Sequence, residues 1–256
     1  ISIYNFSFIE EQLKRFVNVL REKPVKWDEE FLRVCHYFMK YSEKLPLMFF
    51  ELIEVLPTLQ MYNKGRISHL LALLSTAMTF FFEVFTPTHL QILFNIFQES
   101  VVGDIATYQL EESLLFLQVF IQSFYRVITA HELKIIFEHY VRLKENYHDS
   151  KIGGELNGAG SIAYLLGVLL SCFIYFPQKT IEILQSPDSL SKEKSIESIL
   201  ELISAHLDAF NSSYHRKLLF AFCVELTIYS LTQDRIDVAA RALNILVPFS
   251  KFVEII

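Results

Sequence analysis

Apolar residues recur three or four positions apart along almost the whole of this chain of 256 residues. The first two stripes consist of Phe6, Ile9, Leu13, Phe16, Val17 and Leu20, and then of Phe31, Val34, Cys35, Phe38 and Met39. Only seven glycines and seven prolines interrupt the pattern, too few for the many turns of an all-β fold. The spacing predicts an all-α fold of about a dozen amphipathic helices.

Single residues locate several of the helix boundaries. Asp28 is placed to cap the helix of the second stripe, because its carboxylate can accept from unpaired N–H groups there. Pro87 and Pro177 each follow an apolar helix and fit the first turn of the next one. The clearest predicted loops are residues 151–160, which hold four of the seven glycines, and residues 185–194, with the sequence QSPDSLSKEK.

A short apolar pattern recurs at intervals that indicate structural repeats. Its five copies are Phe50-x-Leu52-Ile53, Leu90-x-Ile92-Leu93, Leu133-x-Ile135-Ile136, Ile181-x-Ile183-Leu184 and Leu243-x-Ile245-Leu246. Their first residues lie 40, 43, 48 and 62 positions apart. The first three intervals match the ~40–47-residue period of HEAT and armadillo repeats, which contain two or three helices each. We therefore expect a HEAT-like α-solenoid of stacked antiparallel helix pairs.

The long last interval predicts an insertion near residues 185–194 or an extra helix. Stacked pairs also account for the hydrophobic fraction of 52%, because neighbours cover each helix on two or three sides. We expect residues 1–256 to form one continuous helical-repeat segment. Because the chain opens on Ile1 and closes inside an apolar run, we read it as part of a longer protein.

Charge and cysteine content narrow the class of partner and compartment. The formal net charge of −6 gives no overall electrostatic support to direct binding of nucleic acid. The three cysteines, Cys35, Cys172 and Cys223, are scattered and odd in number. That usage argues against a disulfide framework and is typical of a reducing, intracellular compartment.

Two apolar stretches raise the alternative of a helical membrane protein. Residues 156–178 carry no charge and approach the length of a membrane span, and residues 67–82 are uncharged apart from His69. Elsewhere charged residues recur every few positions, as in amphipathic helices. We therefore favour a buried core helix for the longer stretch and expect no membrane insertion.

Candidate metal ligands occur at the wrong spacing. Cys35 and His36 are adjacent, but no second Cys or His stands at zinc spacing, so a core cysteine beside a boundary histidine is the better interpretation. His131 and Glu132 begin like the H-E-x-x-H motif of zinc hydrolases, yet position 135 is isoleucine. His139 lies eight residues from His131, too far along one helix to share a metal ion with it. We predict no metal site.

Phosphate-binding and acid–base motifs are also incomplete. Glycines 153, 154, 158 and 160 fit neither a P-loop nor the G-x-G-x-x-G fingerprint, so we expect a connecting loop. The carboxylate pairs Glu10/Glu11, Glu29/Glu30 and Glu111/Glu112 are typical of solvated faces and first helical turns. We expect no cofactor, no catalytic residue and no enzyme activity.

The stretch FNSSYHRKLLFAFCVE, residues 210–225, concentrates side chains that could be reactive. Ser212 or Ser213 is a good N-cap, and the following apolar residues continue a helical stripe through Cys223. His215, Arg216 and Lys217 then fall in the first turn, where the helix dipole disfavours cations, so Asp208 or Glu225 is expected as a partner. A helix start is the better interpretation.

The second half of the chain resembles a known family. Residues 162–184, with the break Tyr175-Phe176-Pro177, are similar to the C-terminal HEAT repeats of importin-β-family nuclear transport receptors, the karyopherins. The sequence ESILELISAHLDAF from Glu197, followed by Tyr214-His215-Arg216-Lys217-Leu218, resembles the same family again. In the larger import receptors of this family, an acidic residue directly precedes an Arg-Lys pair. In this chain the residue before Arg216-Lys217 is His215.

The resemblance implies a receptor that wraps protein cargo on a curved surface and moves between cytoplasm and nucleus. It also implies contact, through the wider chain, with Phe-Gly nucleoporins and the GTPase Ran. A net acidic solenoid suits basic cargo such as ribosomal proteins or histones. The alternatives are another HEAT or armadillo scaffold or trafficking adaptor without catalytic activity, and a helical membrane protein. No binding residue carries over from the family.

Overall fold

A computed structural model of the chain describes residues 3–23, 28–58, 68–101, 110–152, 159–186, 189 and 195–249. Within these ranges all regular structure is helical, and there are twelve α-helices. They are α1 (Ile3–Glu22), α2 (Glu29–Lys40), α3 (Met48–Val55), α4 (Ser68–Phe81), α5 (Pro87–Val101), α6 (Leu110–Phe124), α7 (Ala130–Ile152), α8 (Ala159–Tyr175), α9 (Pro177–Gln185), α10 (Ile196–Ala205), α11 (Ser213–Thr232) and α12 (Ile236–Leu246). The all-α prediction is confirmed. The chain divides into two compact units, residues 1–123 and residues 124–256.

In the first unit, helices contact partners two positions along the chain. Helix α1 packs on α3, α2 on α4, and α3 on α5. The predicted stripe of α1 is the buried one, since Leu13, Val17 and Leu20 are almost fully covered. On α2 the stripe is partly wrong, because Val34 is 49% exposed while Leu32 is fully buried. An apolar residue on the solvent side of a helix is common, so apolarity alone misassigned one position.

The second unit is built around α8. This helix packs on α7, α9 and α11, and α12 packs on both α10 and α11. Since several helices cover α8, its residues from Ile162 to Phe173 are buried with the exception of Tyr164. The buried Thr180 of α9 donates its hydroxyl hydrogen to the Cys172 carbonyl at 3.0 Å, and the same carbonyl accepts from the Phe176 main-chain N–H at 2.8 Å.

The recurring apolar pattern marks alternate helices. Its first four copies fall on α3, α5, α7 and α9, and its fifth falls on α12 instead of α11. One extra helix therefore lies inside the longest interval, as the spacing allowed. The last residue of the pattern is buried in the first four copies: Ile53, Leu93, Ile136 and Leu184.

Helix starts follow the predicted residues. The Asp28 carboxylate accepts from the Phe31 main-chain N–H at 3.0 Å and caps α2. Pro87 and Pro177 are the first residues of α5 and α9. In the predicted loop at 151–160, the first two and last two residues are helical, which corrects the prediction at these four positions; residues 153–158 lie outside the described part. In the predicted loop at 185–194, Gln185 is instead the last residue of α9. Of residues 186–194 the structure describes only Ser186 and Ser189.

In the apolar stretch at residues 156–178, the described residues from 159 onward form two successive helices. Helix α8 ends at Tyr175, and α9 leaves it at an angle of 118°. Among the described residues no single helix is both long and apolar enough to cross a bilayer, and only the bent pair Ile162–Tyr175 with Pro177–Gln185 passes that test jointly.

Candidate functional site

The stretch at residues 210–225 is a capped helix start. The Ser212 hydroxyl accepts from the main-chain N–H of His215 at 3.1 Å, and its oxygen lies 2.9 Å from Nδ1 of the same histidine. The His215 ring is 4% exposed and meets the Tyr164 ring edge-on at 4.7 Å between centroids. Ser212 is thus the cap of α11, and the serine–histidine contact is local to that cap.

Tyr214 also contacts the His215 ring edge-on, with 5.2 Å between centroids, whereas Cys223 lies in the core. Cys223 is fully buried, and burial raises the pKa of its thiol to about 12, which opposes formation of a nucleophilic thiolate. Asp208 and Glu225 make no ion pair within the described part of the chain, so the expected partners of the basic first turn are wrong. The arrangement stabilises the start of α11.

The Cys35–His36 pair is also divided between core and boundary. Cys35 is buried, and burial raises the pKa of its thiol to about 12. The pKa of His36 is lowered by burial and by the nearby Lys40 and His69. No group of three His, Cys, Asp or Glu side chains among the described residues could hold a metal ion.

His131 and Glu132 belong to a helix cap. The Glu132 carboxylate accepts from the Thr129 main-chain N–H at 2.7 Å, and the Thr129 hydroxyl accepts from the Glu132 main-chain N–H at 3.3 Å. This reciprocal pair is a capping box for α7, a signal present in the sequence as T-x-x-E. His139 is buried on the same helix, and burial lowers its pKa to about 4.

The carboxylate pairs are mostly surface or cap residues. Glu11 pairs with Arg15 at 3.2 Å, and Oε1 of Glu10 accepts from the Leu47 main-chain N–H at 3.3 Å. Glu112 differs, because it is half-buried in the first turn of α6 and burial raises the pKa of its carboxyl group. The side chain of Glu29 and glycines 153, 154 and 158 lie outside the described residues.

The structure adds a feature that the sequence did not reveal, a cavity of about 240 Å³ between α7 and α9. Phe137, Val141 and Ile183 supply its apolar lining. Glu138 and Glu182 contribute carboxylates from the two helices. These groups are more than forty positions apart between helices, so no local motif could have indicated them.

The polar side of this α7–α9 cavity consists of Lys134, Glu138 and Glu182, together with Ser186 and Ser189. The Gln178 side-chain amide donates to Oε1 of Glu182 at 3.0 Å and fixes that carboxylate along α9. Lys134 stands at the same cavity, one helical turn before Glu138, and forms no ion pair with either glutamate in the described part of the chain. The cavity therefore combines an apolar wall with carboxylates that have no cationic partner among the described residues.

Comparison with known proteins gives no match to a family model, to a curated protein sequence or to a solved structure.

Proposed function

We propose that this chain is a helical-repeat scaffold of the nuclear-transport-receptor type, which binds basic protein cargo on its surface and performs no chemistry. The observation that carries the proposal is a contact between helices two positions apart that recurs in both units. It occurs for α1 with α3, α2 with α4 and α3 with α5, and again for α9 with α11 and α10 with α12. Stacked helix pairs produce this contact order, since each helix faces its counterpart in the next pair.

The α10–α12 contact illustrates how neighbouring pairs would be held in register. Arg235, at the start of α12, forms an ion pair with Glu197 in the first turn of α10. Arg241 lies 3.5 Å from Glu201 farther along the same two helices. Two ion pairs that follow one helix–helix contact favour a defined register.

The side chains in the candidate sites support binding over chemistry. Cys35, Cys172 and Cys223 are buried with pKa values raised to about 12, and the Ser212–His215 contact is part of a cap. With a formal net charge of −6, the surface favours encounter with basic proteins through long-range attraction.

The narrower part of the proposal, control by Ran, rests on the resemblance of residues 162–184 and 197–218 to karyopherins. Capture of the full-length protein on immobilised Ran, loaded with GTP or with GDP, tests it. We expect stronger retention on the GTP form. Equal retention or none contradicts the transport-receptor proposal and leaves a HEAT or armadillo scaffold of another function.

A further inference from the structure

We propose that the α7–α9 cavity is a side-chain subsite that takes one arginine or lysine of a basic protein partner. The inference rests on the proposed function, because it assigns a position where basic cargo would be held. It is carried by the size of the cavity, its apolar lining and its two carboxylates.

The size of the cavity suits one long side chain. Its volume of about 240 Å³ lies below the ~300–1,000 Å³ of typical small-molecule and cofactor pockets. The lining comes from successive turns of α7, from the last turn of α9 and from Ser186 and Ser189 beyond it, and the cavity is partly open to solvent. A single projecting side chain is the occupant that this geometry fits best.

The lining matches the two chemical parts of an arginine or lysine side chain. The buried Phe137 and Val141, together with Ile183, offer apolar surface for the methylene stem. Glu138 and Glu182 offer carboxylate oxygens for the charged head, and charge-assisted hydrogen bonds are the stronger kind. A guanidinium, which has five donors in a fixed plane, can engage oxygens from both helices.

The charges at the cavity also discriminate against other occupants. An acidic side chain would meet two carboxylates, and an apolar one would cover those carboxylates without replacing their hydrogen bonds to water. Lys134 at the rim repels a basic occupant and therefore weakens binding. Reversing its charge should strengthen binding, an effect that loss of folding cannot imitate.

The experiment measures fluorescence anisotropy of a labelled basic peptide, GSRLRKSG, with the protein at low salt. We expect Glu138→Gln with Glu182→Gln to weaken binding about tenfold, and Lys134→Glu to strengthen it about threefold. Lys179→Glu makes the same charge change on an exposed position of α9 outside the cavity and should stay within about twofold of wild type. A peptide with citrulline in place of both arginines and acetyl-lysine in place of the lysine lacks all three side-chain charges and should bind weakly to every variant.

The outcomes separate this inference from the proposed function. If basic proteins bind but the double glutamine variant binds them as wild type does, the cavity assignment is overturned and the scaffold proposal stands. If Lys134→Glu and Lys179→Glu strengthen binding equally, only net charge acts, and the cavity assignment is again overturned. If neither the peptide nor basic proteins bind wild type, both proposals fail. Circular dichroism and thermal unfolding of each variant verify that the fold is retained.

Discussion

The imidazole Nδ1 of His89 accepts a hydrogen bond from the main-chain N–H of Thr86 at 3.2 Å, and the Thr86 hydroxyl accepts from the main-chain N–H of His89 at 3.3 Å. The pair is a capping box for α5, with histidine where glutamate or glutamine is usual. The same ring stacks on Phe50 of α3, with 4.4 Å between centroids. One neutral side chain therefore both caps α5 and packs it against α3.

Protonation of His89 should weaken this cap, because a protonated Nδ1 cannot accept the Thr86 hydrogen bond. Burial lowers the pKa of His89, and the opposing effect of Glu54 on α3 is smaller. The stabilisation is thus present above the ordinary pKa of 6.5 and is lost as the pH falls below it toward the lowered folded value. His89→Gln keeps a capping acceptor that does not titrate. Urea unfolding at pH 7.5 and 5.5 should show a smaller loss of stability for the variant; an identical loss in both proteins contradicts the assignment.

His139 should contribute a second, larger acid sensitivity in the other unit. Burial lowers its pKa from 6.5 to about 4, and Arg142 adds to the effect. The unfolded chain takes up the proton first, so stability declines as the pH falls from 6.5 toward 4, by at most about 3 kcal/mol. We expect His139→Gln to flatten the stability profile between pH 7 and 4.5. An unchanged slope would show that His139 does not drive the acid sensitivity.

Each ion pair between α10 and α12 should make a small but measurable contribution to the free energy of unfolding. Both arginines are partly exposed, so each pair contributes about 0.2–1 kcal/mol. A double-mutant cycle with Glu197→Gln and Arg235→Gln isolates the first pair, and the same changes at Glu201 and Arg241 isolate the second. We expect a larger coupling energy for the first pair, because its side chains are less exposed. Added salt should reduce the coupling energy of both pairs. Zero coupling in both cycles contradicts a role in holding the register.

Asp234 occupies a backbone conformation that favours glycine. Its φ is +55°, and it stands in the short turn between α11 and α12. We expect Asp234→Gly to raise the free energy of unfolding by about 0.5 kcal/mol. Glycine has no Cβ atom, so it removes the steric strain of a positive φ, and this gain exceeds the greater entropy that glycine loses on folding. Gln233→Gly is the control at the adjacent position, where φ is −107°, and should destabilise. Destabilisation by both changes contradicts the backbone assignment.

The three thiols should be unreactive in the folded protein. Cys35, Cys172 and Cys223 are buried, and burial raises each pKa to about 12. At pH 8 a thiol-specific chromogenic reagent should label none of them until denaturant is added, after which three thiols react. Rapid labelling of any cysteine in the folded protein would contradict this prediction, because the reagent reaches a buried thiol only if the core opens.

The sequence predicted those features of the fold that depend on local chemistry. Asp28, Pro87 and Pro177 mark helix starts because capping and proline geometry involve only neighbouring residues. The recurring apolar pattern, found by its spacing, falls on α3, α5, α7 and α9 in its first four copies. Exposure was harder to predict: Val34 and Leu32 are similarly apolar, and only the packing of α2 decides which one is buried.

The candidate site lay beyond what local patterns indicate. Glu138 and Glu182 come together only because α7 and α9 both pack on α8, and that contact is tertiary. The sequence drew attention instead to Ser212, His215 and Cys223, which are residue types common in active sites. Helix capping explains the positions of Ser212 and His215, and burial in the core explains Cys223. Sequence motifs thus identified the helix ends, whereas the cavity depends on how helices distant in the chain meet.

The most direct test of the proposed scaffold is a titration of a labelled core histone with the protein, by fluorescence anisotropy, at about 50 and 200 mM salt. A labelled acidic protein of similar size serves as the control. We expect saturable binding of the histone that weakens at the higher salt, and no binding of the acidic protein, because complementary charge governs the encounter. Equal binding of both proteins, or no binding of the histone at either salt concentration, would contradict a scaffold for basic partners.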